Sequence, residues 1–237
     1  MWMDRSNRYK KPLWLAVVLL LLLALGCGSL NDPSVATNTK NSDAGWRVQY
    51  SPSMPADPTA GGPGVWYLDF PSDPNYPACI DQGNCDSLNY VTTSFSGPTA
   101  HSVSMTFQIL TTGVPTFNYK LGSDNTCATP ATVRLFLERK NDDFSQEFYR
   151  WWANPIGYEL QATPADVTLT VPLTPDQWSS VYGKAGSYDA AALAGFQDAL
   201  RNLGHIGMTF GGGCFFGHGV NVSGGTARFA LMSYTIS

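Results

Sequence analysis

The densest run of side chains able to do chemistry lies between residues 134 and 152. Arg134, Phe136 and Glu138 alternate along one segment. After a polar turn at 140–145, Glu147-Phe148-Tyr149-Arg150-Trp151-Trp152 follows. Paired as a hairpin, these segments set a guanidinium fork beside flat aromatic rings. Such a surface holds sugars: ring faces take the CH groups, and fixed donors meet the hydroxyls. The expectation is that Arg134 lies opposite Trp151 or Trp152, that one of the two indoles points outward, and that Arg134, Tyr149, Trp151 and Trp152 contact a ligand. A register slip of one residue exchanges the faces. The same residues also permit a plainer arrangement. One Trp fills the core, the other packs under a loop, and Arg134 and Arg150 pair across strands with Glu138 and Glu147. His218, in a glycine-rich turn, is a further candidate contact, although a loop histidine can equally be only solvated.

Catalysis finds little support. The chain has three glutamates, Glu138, Glu147 and Glu159. In one register Glu138 and Glu147 face each other, as an acid and a nucleophile would, but the arginine near each favours a structural ion pair. There is no G-x-S-x-G and no H-E-x-x-H. Gly211 to Gly213 have neither a following helix nor a lysine, so they are no phosphate cradle. Cys214 and His218 are four apart, yet no C-x-x-C pair accompanies them, which fails zinc-site spacing. No catalytic residue, metal ligand or cofactor is assigned.

Cys79, Cys85, Cys127 and Cys214 form an even set, and in an exported protein such a set predicts disulfides, with three possible connectivities. Cys79 and Cys85 enclose five residues and are the cheapest closure, leaving Cys127 with Cys214. That second bridge would close a long loop, worth on the order of 4 kcal/mol in the chain-entropy picture.

Export is read from the N-terminus. Arg5, Arg8, Lys10 and Lys11 precede the apolar run Leu13–Leu25, which is short for a membrane span and has signal-peptide proportions. It ends in Leu23-Ala24-Leu25-Gly26-Cys27. This resembles the lipobox of bacterial lipoproteins, with Ala24 where Leu is usual. The resemblance implies that residues 1–26 are removed and that Cys27 is acylated, palmitate included. It also implies anchoring in the cell envelope, by acyl chains rather than by a span. Gly28 follows in place of the aspartate that retains enterobacterial lipoproteins in the inner membrane, so the resemblance favours the outer one. Cleavage leaves 10 basic against 17 acidic residues, a formal net charge of −7. That excludes nucleic acid as a partner and electrostatic binding to anionic lipid. Residues 27–44 are polar and read as a flexible tether, and residues 45–237 as one domain.

Charged residues are only 14% of the chain, aromatics are 13%, and there are 23 Gly and 16 Pro. The balance suits an extracytoplasmic all-β protein. Apolar residues fall on alternate positions at 102–109, 132–138, 167–171 and 227–236, the mark of half-buried strands. Further strands are expected at 46–50, 65–70, 90–95, 116–121, 147–152 and 206–210, in a jelly-roll β-sandwich. One or two short helices precede the last strands. Thr174-Pro175-Asp176-Gln177 is a capping-box start leading into 178–181. Asp189 opens Ala190–Leu203, with Leu193, Phe196 and Leu200 on its apolar stripe.

Leu203-Gly204-His205-Ile206-Gly207-Met208-Thr209-Phe210, the glycine-rich loop after it, and Gly224 to Ile236 resemble the closing strands of galactose-binding-like and carbohydrate-binding-module jelly rolls. The clear similarity covers about 35 residues. It implies a binding module without catalysis, and in such families a structural calcium often sits near the early loops. No carboxylate cluster here matches that calcium site. The function expected is a lipid-anchored module that binds a glycan or cell-surface polysaccharide. The alternative is a structural or protein-interaction lipoprotein, and a glycoside hydrolase or lyase stands third.

Overall fold

Strict alternation sends most of the chain into strands, since one face of each must be buried while the other meets water or a covering loop. The computed structural model describes residues 37–39, 45–51, 59–62, 65–72, 86–97, 101–119 and 130–237, all within the compact unit Val35–Ser237. Cys27, Cys79, Cys85 and Cys127 lie outside the described residues, as does the segment read as a signal peptide.

The fold is the expected all-β class. The strands are β1 (Thr37–Thr39), β2 (Trp46–Ser51), β3 (Thr59–Gly62), β4 (Val65–Asp69), β5 (Ser87–Ser94), β6 (Ser102–Tyr119), β7 (Thr132–Arg139), β8 (Arg150–Ala153), β9 (Tyr158–Glu159), β10 (Val167–Pro172), β11 (Trp178–Ser179), β12 (Leu203–Gly211) and β13 (Val220–Ile236). Every pairing is antiparallel. One half runs β2-β5-β12-β7-β8-β11 and the other β10-β6-β13-β4-β3, and the bridge Val220↔Leu88 links them into one curled sheet. β1, inside the stretch read as a tether, pairs with the end of β13.

The halves pack face to face around an aromatic core. Phe210 of β12 meets Phe229 of β13 edge-on at 5.3 Å, and Trp46 of β2 meets Trp66 of β4 at 5.2 Å. Tyr234 is fully buried, and its hydroxyl donates to the Gly207 carbonyl across the core at 2.9 Å. Burial drives its phenol pKa upward.

Three local expectations are revised. Residues 102–109 and 116–121 are not separate strands: β6 is continuous through 102–119, and the β13 register shifts opposite Gly113. Pro175–Gln177 is a single 3-10 turn rather than a helix start, and the Thr174 side chain caps nothing. The chain leaves that turn as β11 because Trp178 is drawn wholly into the core, its indole N–H donating to the Pro172 carbonyl at 2.8 Å. The one α-helix among the described residues, α1 (Ala190–Arg201), does start at Asp189, whose carboxylate accepts from the Ala192 N–H at 2.7 Å. Its buried stripe, however, is Ala192, Phe196 and Ala199, with Leu193 exposed and Leu200 half-buried. Helical period allows either rotation about Phe196. The small-residue side wins because it permits close approach, with Gly195 against Phe148. Among the described residues no helix is long and apolar enough to cross a membrane.

Candidate functional site

Pairing in the β2-β5-β12-β7-β8-β11 half sorts its residues into rows on alternate faces. Val48, Val91, Met208 and Leu135 form one row, all without solvent contact, and point inward. Tyr90, Thr209 and Arg134 form the next, and Thr92, Gly207, Phe136 and Trp152 the one beyond. Tyr90 packs on Phe136 at 5.3 Å, and Phe136 on Trp152 at 5.3 Å. These residues share one outer face.

The β12–β13 loop folds over that face. Phe216 lies 4.0 Å above the Arg134 guanidinium, and Phe215 meets the His218 ring at 4.8 Å. The approach is close enough that a Cβ at Gly217 would strike the Tyr90 hydroxyl. Asn89 donates its amide to the Gly217 carbonyl at 3.4 Å. Between this loop and the 180–183 turn opens a cleft of about 280 Å³. Tyr90, Arg150 and Trp152 floor it. Ser180 to Gly183 form one wall, and Cys214 to His218 the other. Tyr182 stands at the rim, 76% exposed. Cys214 is disulfide-bonded, and every other cysteine lies outside the described residues.

Charges are organised beneath the cleft. The Arg150 Nε is 2.9 Å from an Asp142 carboxylate oxygen, its Nη2 donates to the Phe144 carbonyl at 3.0 Å, and the Phe144 ring covers it. Glu138, opposite Arg150 in register, turns instead to His205, at 3.0 Å from Nδ1. Burial lifts the Glu138 carboxyl above its ordinary range, with His205 pulling the other way. Burial also pushes the Tyr90 phenol up to about 12, with Arg150 opposing.

The sequence candidates divide. Trp152 and His218 line the cleft, and Arg134 lies directly behind Phe216. Trp151 does not take part: it is fully buried on the inner face, edge-on to Phe196 at 5.1 Å, with its N–H given to the Phe148 carbonyl. Tyr149 lies outside the cleft, its ring under the Arg139 guanidinium at 4.4 Å. The expectation of one outward indole fails, since Trp152 is only 6% exposed. The reason is that β7 and β8 are covered on both faces, by the core and by the glycine-rich loop. Arg134 is not opposite either Trp, because Leu137 pairs with Trp151 and Phe136 with Trp152. Its Nη1 instead donates to the carbonyls of Ala153, Pro155 and Ile156. Nor do the expected cross-strand ion pairs form. Glu147 binds Lys184 at 3.1 Å, away from Glu138.

Tyr90, Tyr182, Phe215 and Phe216 are the site residues that sequence reasoning missed. A signal existed for the last two: adjacent aromatics inside a glycine-rich loop have no strand to bury them and must cover something else. Comparison with protein-family models, with curated proteins and with solved structures finds no match to this chain.

Proposed function

We propose that this chain is a lipid-anchored, extracytoplasmic binding module for carbohydrate, with the outer-face cleft as its site. One observation carries the reading: a small open cleft onto which five aromatic rings converge, those of Tyr90, Trp152, Tyr182, Phe215 and Phe216, with a guanidinium in its floor and an imidazole on its wall. Rings supply the faces on which sugar CH groups stack, and a few fixed polar groups orient hydroxyls. Its volume lies near the lower limit of about 300 Å³ for small-ligand sites, which suits a chain end better than a long polymer segment. Among the described residues no carboxylate lines the cleft. The anchor rests on the basic n-region, the apolar run and Cys27, and the likeness of the closing strands to carbohydrate-binding jelly rolls supports the same class.

The rim supplies the cleanest test. Tyr182 and Tyr188 are both exposed, 76% and 69%, but only Tyr182 borders the cleft. Tyr182→Ala should weaken binding in a glycan array and by calorimetry by about 1–3 kcal/mol, the worth of a contact aromatic, while Tyr188→Ala leaves it unchanged. Neither should move the melting temperature appreciably. Equal effects of the two variants, or no glycan bound by the wild type, would return the chain to the structural-lipoprotein reading. For the anchor, Cys27→Ala should abolish acyl labelling and release the protein from membranes; persistent labelling would remove it.

A further inference from the structure

Among the described residues, Arg134 is a buried cation without a counter-ion. It is 7% exposed, and all three of its hydrogen bonds leave from Nη1, toward the 153–156 turn. Nε is closed to solvent and has no partner. Among the described residues, no acceptor meets Nη2 and no carboxylate lies within ion-pair distance. Arg150, the other buried guanidinium among the described residues, has Asp142 as its acidic partner; Arg134 has none there. Removing a charge from water without a compensating partner is costly, and buried polar groups are normally bonded.

Its neighbourhood has the same deficit. Thr209, next to it across the β12–β7 pairing, is fully buried with a partnerless hydroxyl. The Trp152 indole nitrogen, on the same face, is likewise unbonded. Three donors without acceptors therefore gather under the loop that walls the cleft. A purely structural role explains one edge of Arg134, since Nη1 braces the turn and Gly157 is pressed against the guanidinium. It leaves the other edge unexplained. That edge, Nε with Nη2, is the planar fork that matches a carboxylate bidentately. The Phe216 ring, its centroid 4.0 Å from the guanidinium carbon, packs on the guanidinium and is itself a wall of the cleft.

We propose that the Nε/Nη2 edge of Arg134, with the Thr209 hydroxyl beside it, receives the carboxylate of an acidic sugar, and that Phe216 is the ring that moves to admit it. The inference rests on the carbohydrate reading of the cleft and narrows it to uronate-bearing glycans. No covalent step is involved; the carboxylate exchanges water for the fork, and the guanidinium gains its missing counter-ion.

The test uses the full chain and three probes: galacturonate and glucuronate oligosaccharides, their methyl esters, and neutral galacto- and gluco-oligosaccharides. Calorimetry should show the acid bound about tenfold or more tighter than its ester, the scale of one charge-assisted bidentate contact. Arg134→Met should abolish that preference while neutral sugars still bind, and Arg134→Lys should restore it only in part, lacking the fork. Phe216→Ala should change the acid-to-ester ratio by removing the cover. It also serves if Arg134→Met does not fold. Equal affinity for acid and ester, or a ratio unmoved by either substitution, would leave Arg134 as a brace alone while neutral binding upholds the cleft. Failure of every oligosaccharide to bind would overturn both readings.

Discussion

The outer faces of the two halves are built on opposite plans. On the β6–β10 pair, side chains meet across strands in a plain ladder. Ser104 bonds Thr170 at 2.8 Å, Thr106 bonds Thr168 at 2.9 Å, and Gln108 donates to Asp166 at 2.7 Å. These groups are at the solvent and each has a partner. On the β12–β7–β8 side, the corresponding face is covered by a loop. It buries an arginine, a threonine and an indole, each with one polar atom unmatched, and it opens into a cleft lined by aromatic rings. A solvated ladder needs no ligand, since water and neighbours satisfy it. A covered face with spare donors is held at a cost to stability, and such a cost marks sites that bind. Among the described residues, the unmatched outer-face donors gather on one half of the sandwich.

The comparison breaks most visibly at Trp151 and Trp152, adjacent residues on opposite faces. Trp151→Ala should cost about 3–5 kcal/mol in urea unfolding, because it empties a fully buried core site beside Phe196. A cost below about 1 kcal/mol, the scale of surface changes, would contradict its placement.

A smaller effect is expected under the cleft. Glu138 is held above the ordinary carboxylate range by burial, with Asp142 adding to the rise and His205 opposing it. Arg150 and Tyr90 are the other titratable groups there. Between the unfolded value, about 4.3, and the raised native one, the native state keeps a proton that the unfolded chain releases. Stability therefore falls as pH rises through that interval. Glu138→Gln should flatten this slope in unfolding curves recorded from acid to neutral pH; an unaltered slope would mean the carboxyl ionises normally. The smallest effect belongs to the ladder. Thr168→Ala removes one partly exposed hydroxyl pair and should stay within about 0.5 kcal/mol. A larger loss would show that the two faces are less different than their bonding implies.

Much of the architecture could be read along the chain. The alternation at 132–138 sets Val133, Leu135 and Leu137 on the face opposite Arg134, Phe136 and Glu138, and all three are fully buried. Asp189 was expected to open a helix, and it caps one. The site was legible only in outline. Trp152 and His218 line one cleft and Arg134 lies behind its Phe216 wall, but the other lining residues come from β5, the 180–183 turn and a loop more than 60 residues along the chain. Tyr149 and Trp151 share the sequence neighbourhood of Trp152 without sharing its surroundings, because successive strand residues point to opposite faces and register settles which face is which.

The chain alone determined period, turns and class: alternation with little charge and many glycines and prolines can bury its apolar surface only as packed strands. Only the tertiary structure decided which aromatic rings line the cleft. Exposure depends on what covers a strand, and the cover for Arg134 and Trp152 is a glycine-rich loop that no local pattern ties to them. The same long-range packing placed Arg134 where, among the described residues, no carboxylate pairs with it.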